Sequence, residues 1–105
     1  MADLLHTDPR LVAFVRREAD PVRVVLFGSH VYGRARPESD YDLLVVVADG
    51  QEPRSVARRL YARKRGLGVA SDFLVQTESR HTRAPRSAFD QEMGRGRVVY
   101  ERGHG

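Results

Sequence analysis

Residues 26–45 read LFGSHVYGRARPESDYDLLV. A Gly-Ser pair closes one apolar run, and two aspartates, Asp40 and Asp42, open the next. Alternate residues of a strand face the same way, so Asp40 and Asp42 project from one face roughly 7 Å apart, with Tyr41 on the other. Oxygen ligands at that separation suit one Mg²⁺, or two ions roughly 3.5–4 Å apart. Leu43 to Val47 follow at once, which places the pair at the strand's beginning. A plain structural explanation also exists: polar residues at the end of a strand.

Working outward, VRVVLFG (22–28) is rich in β-branched residues and stops at glycine, as a strand does. DYDLLVVV (40–47) is a second strand, its continuous apolar tail suited to burial on both faces. Asp8 and Pro9 are a helix start, and Leu11, Val12, Phe14 and Val15 form its apolar stripe up to Asp20-Pro21. Residues 29–35 fit a short helix. ADGQEP is a turn, and Pro53 opens a helix to about Arg65 with Val56, Ala57, Leu60 and Tyr61 inward. GVASDFLVQT (68–77) is a third strand, ESRHTRAPR a loop, Pro85–Met93 a last helix, and RVVYE (97–101) a final strand or tail. This alternation predicts a compact α/β sheet with helices packed on it.

Asp72 sits inside VASDFLV, with apolar residues on both sides. A carboxylate in a buried strand costs several kcal/mol unless paired or metal-bound. Beside strand 40–47 it becomes a third ligand and a base for an attacking hydroxyl. The plain structural alternative is an Asp on a solvated edge strand, or one paired to a nearby Arg. Gly28 lets the backbone approach a ligand, and a helix N-terminus after it, with the Ser29 hydroxyl, offers donors to phosphate. Two other motifs fail. GSHVYGRA has P-loop spacing, but Arg34-Ala35 replaces the required Lys and Ser/Thr. GLGVAS is a broken G-x-G-x-x-G that follows a helix.

Composition sets the outer bounds. The 105 residues make one small domain, 1–105, with 41% hydrophobic and 30% charged residues. Cysteine is absent, which excludes disulfides and thiolate metal sites. No apolar run nears the roughly 20 residues of a membrane span, and MADLLHTDPR lacks signal-peptide order, so a cytoplasmic location is expected. The net charge is +4, carried almost wholly by Arg, which suits phosphate or acidic partners or a solvated surface. No aromatic-bearing sheet motif accompanies the charge, so direct nucleic-acid binding is not expected.

Gly28-Ser29, ten residues, then Asp40-Tyr41-Asp42 and an apolar strand form G-S-x₁₀-D-x-D. This resembles the signature of the DNA polymerase β-type nucleotidyltransferases, a small mixed sheet with helices packed on it in the polymerase β palm-like fold. Within them the chain resembles the minimal nucleotidyltransferases (MNT proteins), commonly paired with HEPN-domain proteins in toxin–antitoxin modules. The likeness runs from about Val22 to Tyr100 and is specific over 27–45 plus Asp72. It implies that Gly28 and Ser29 bind the triphosphate, with Arg34 and Arg36 as further contacts. It also implies that Asp40 and Asp42 hold Mg²⁺ and that Asp72 is the third carboxylate. ATP would be the substrate. The short chain leaves no room for an acceptor-binding domain, so a partner protein is expected as acceptor, and the resemblance implies that AMP goes to a tyrosine of a HEPN ribonuclease toxin. The alternative is an antitoxin that neutralises its partner by binding alone, with the basic helix RSVARRLYARKR (54–65) as the contact.

Overall fold

The computed structural model describes residues 8–28, 40–82 and 96–102. Helix α1 (Pro9–Ala19) starts on Asp8, whose carboxylate accepts the Arg10 backbone N–H at 2.9 Å. Pro9 at the first position loses no hydrogen bond there, because that N–H has no partner within the helix. The helix stops at Asp20, a left-handed residue with φ 47°, and Pro21 bars any continuation. Helix α2 (Pro53–Arg63) repeats the device: Glu52 accepts the backbone N–H groups of Arg54 and Ser55, each at 3.0 Å.

The strands are β1 (Arg23–Phe27), β2 (Tyr41–Val47), β3 (Ser71–Thr77) and β4 (Arg97–Glu101), in the sheet order β3-β2-β1-β4. β1 is antiparallel to both β2 and β4, with an irregularity in the β4 register between Val24 and Val25. β2 and β3 run parallel. The sheet is therefore mixed, and β3 forms one of its edges.

Both faces of β2 are covered, as its unbroken apolar run requires. On one face Leu43, Val45 and Val47 pack with Val24, Leu26 and Phe73 against Leu11, Phe14 and Val15 of α1 and Val56 and Leu60 of α2. On the other, Val25, Leu44 and Val46 form a smaller cluster with Val22, Phe27 and Leu74. Each such buried side chain contributes about 1.5–3 kcal/mol relative to exposure.

The elements read from sequence are present wherever they fall on described residues, with two adjustments. β3 begins at Ser71 rather than 68, because α2 runs on as a 3₁₀ turn (Lys64–Leu67) that ends at Gly68, a left-handed glycine with φ 73°. Residues 78–82 are not loop but a short helix, α3 (Glu78–Thr82), whose Ser79 backbone N–H donates to Asp49 at 2.9 Å. That cap comes from a turn thirty residues earlier and leaves no local pattern. The helices expected at 29–35 and 85–93 lie outside the described residues.

Candidate active site

Phe27 of β1, Asp42 of β2 and Asp72 of β3 lie side by side across three strands. Register partners in a sheet leave it on the same face, and neighbouring strands are about 4.8 Å apart. The two carboxylates therefore stand together on the face that carries Val25, Leu44 and Val46. Asp42 is half-buried, whereas Asp72 and Asp40 are exposed. Asp40 precedes β2, whose first residue, Tyr41, donates its N–H to Ala70 O at 3.0 Å. This bond ties the start of β2 to the chain entering β3.

Gly28 has a stronger reason to be glycine than a strand end alone provides. Its φ of 83° lies in the left-handed region that side chains avoid. A Cβ built on it would clash with Asp42 Oδ2 and come within 3.2 Å of Asp42 Cγ. The missing side chain is the room in which the Asp42 carboxylate sits, so Gly28 and Asp42 form one unit. Ser29, Arg34 and Arg36, expected on the triphosphate, lie outside the described residues.

Asp72 differs from its expected setting. It is the second residue of an edge strand and is exposed, so the cost of a buried carboxylate does not arise. Its surroundings reveal a residue that sequence reading placed only on the inward side of a helix. The Tyr61 hydroxyl of α2 lies 3.4 Å from Asp72 Oδ1 and 3.3 Å from Phe73 O, and it accepts the Phe73 N–H at 2.9 Å. Nothing in the helical pattern signals this, because it depends on β3 being an edge.

Among the described residues, no group of three or more His, Asp or Glu side chains is gathered closely enough to hold a metal ion. The sheet supplies instead an all-oxygen pair, Asp42 and Asp72, with the Gly28 cradle beside it. That donor set fits Mg²⁺, which is typically held by one or two carboxylates together with substrate phosphates rather than by a full protein cage.

The opposite end of the sheet carries different chemistry. A cleft of about 290 Å³ there is lined by Arg23, Glu78, His81, Glu101 and Arg102. Arg23 pairs with Glu101, and its guanidinium lies 3.3 Å from His81 Nε2. Burial, and then the Arg23 charge, push the His81 pKa below its ordinary value.

Residues 9–93 match the family model described as Nucleotidyltransferase domain. The chain belongs to this family. The match includes the Gly28–Asp42 unit and Asp72, and it supports nucleotide transfer as the general chemistry of this nucleotidyltransferase. No curated protein and no solved structure matches the chain. Among the described residues, no helix is long and apolar enough to cross a membrane.

Proposed function

We propose that this nucleotidyltransferase is a Mg²⁺-dependent antitoxin that transfers AMP from ATP to a tyrosine of a partner HEPN ribonuclease. The observation that carries the reading is the registered pair Asp42–Asp72 beside a glycine whose Cβ position belongs to the Asp42 carboxylate. Asp40 and Asp42 hold the ion with Asp72 as the third ligand, and Gly28 and Ser29 receive the triphosphate, with Arg34 and Arg36 as further anionic contacts. Mg²⁺ held there would neutralise phosphate charge and favour departure of pyrophosphate. Asp72 accepts the proton of the attacking tyrosyl hydroxyl, and its exposure on an edge strand leaves it accessible to a large partner. AMP on a tyrosine near a ribonuclease site would block RNA by bulk and negative charge.

A second reading, an antitoxin acting by binding alone, draws support from the exposed arginines Arg54, Arg58 and Arg65 along the basic segment 54–65. One experiment separates the two: α-labelled ATP and Mg²⁺ are mixed with a HEPN protein encoded beside this chain. The first reading expects label on the partner's tyrosine, falling at least about 100-fold in Asp40→Asn/Asp42→Asn. A silenced nuclease with no label supports binding alone.

A further inference from the structure

We infer that Tyr61 is a positioning residue for the site, holding the Asp72 carboxylate through a hydrogen bond to Oδ1; this rests on the assignment of Asp72 to the nucleotide-transfer site. The phenol is itself held on three sides. Its ring meets Phe73 edge-on, with centroids 5.5 Å apart and planes at 75°. The Lys64 ammonium stands over the ring, 4.8 Å from its centroid, while donating to Ser71 O. The hydroxyl oxygen is occupied by the Phe73 N–H.

A phenol has one proton to donate, and here two acceptors compete for it: Phe73 O at 3.3 Å and Asp72 Oδ1 at 3.4 Å. A carboxylate is the stronger acceptor, since charge-assisted hydrogen bonds are roughly twice as strong as neutral ones. Donation to Oδ1 restrains the carboxylate of an otherwise exposed side chain at the rim of the sheet. Oδ2 is left as the oxygen not engaged by Tyr61. Groups that orient a ligating carboxylate in this way commonly change metal affinity or activity 10–100-fold when removed. The bond here is long, so the lower end of that range applies.

The geometry also explains why a half-polar aromatic stands at this position. Tyr61 is 40% exposed, although it shares a helix with the fully buried Leu60. Phenylalanine would keep the packing on Phe73 and the contact with Lys64. Only the hydroxyl reaches Asp72.

The test is a Mn²⁺ titration of the full chain followed by water-proton relaxation, on wild type, Tyr61→Phe, Asp72→Asn, the Tyr61→Phe/Asp72→Asn double variant and Asp42→Asn. Tyr61→Phe keeps the ring and should melt within about 8 °C of wild type. The expected result is a loss of Mn²⁺ affinity of about tenfold for Tyr61→Phe. The same substitution should cost nothing further once Asp72 is Asn. Wild-type affinity in Tyr61→Phe, with Asp72→Asn weakened, overturns the positioning role and leaves the proposed function standing. So does an equal loss in both backgrounds, which would mark Tyr61 as merely structural. Wild-type affinity in both Asp72→Asn and Asp42→Asn would instead overturn the metal site, and this inference with it.

Discussion

The two ends of β2 are built to opposite specifications. From Leu43 to Val47 every side chain is almost wholly buried, packed alternately against the two helices and against the smaller cluster. At the other end stand Asp42, half-buried against Gly28, and exposed Asp40. Asp42 and Leu44 even share a face, two residues apart. The difference teaches that the core ends where the candidate chemistry begins, and that one strand can anchor the fold and present carboxylates without conflict. Asp40 and Asp72 lie where the sheet meets solvent, so neither carries the cost of a buried carboxylate.

Substitutions at the two ends should therefore fail in different ways. The largest effect on stability is expected at the apolar end. Leu44→Ala empties a fully buried position and should cost about 2–5 kcal/mol in urea unfolding, with transfer per folded molecule unchanged. A matching fall in specific activity would break the separation. Gly28→Ala comes next, and should injure both properties. A side chain at positive φ costs about 1–2 kcal/mol, and displacing the Asp42 carboxylate should lower transfer on the order of 100-fold. Wild-type transfer in this variant would mean that the Gly28–Asp42 contact has no part in the chemistry.

The smallest effect is expected far from the carboxylates, at His81. Its pKa in the folded chain lies below the ordinary 6.5, so on acidification the unfolded chain takes up the proton first. Folding stability should be undiminished above that value and fall as pH drops through it toward the folded pKa. His81→Gln should flatten the decline between pH 7.5 and 5 in urea midpoints, while the pH profile of transfer per folded molecule stays as it was. An unchanged decline would place the acid sensitivity elsewhere.

Much of this was legible in the chain itself. Strands β1 and β2 are visible because β-branched runs end at Gly28 and begin at Asp40, and α1 because Asp8-Pro9 and Asp20-Pro21 bracket its apolar stripe. Asp40, Asp42 and Asp72 are conspicuous because carboxylates adjoin apolar runs. What local pattern cannot carry is pairing. That Asp72 stands beside Asp42, and that β3 is an edge which leaves Asp72 exposed, follow from sheet order. The reach of Tyr61 around that edge is a consequence of the same order. The cap on α3 is hidden for a similar reason, since its acceptor, Asp49, belongs to a different turn.

The row Phe27–Asp42–Asp72 has a consequence for how such a chain can vary over time. Strand side chains alternate, so adding or deleting one residue inside β2 or β3 turns everything beyond it to the opposite face. Such a change would either separate the two carboxylates or bring apolar side chains out of the core. Within these strands, inheritance is thus confined to exchanging one side chain for another, and changes of length are left to the connections between them.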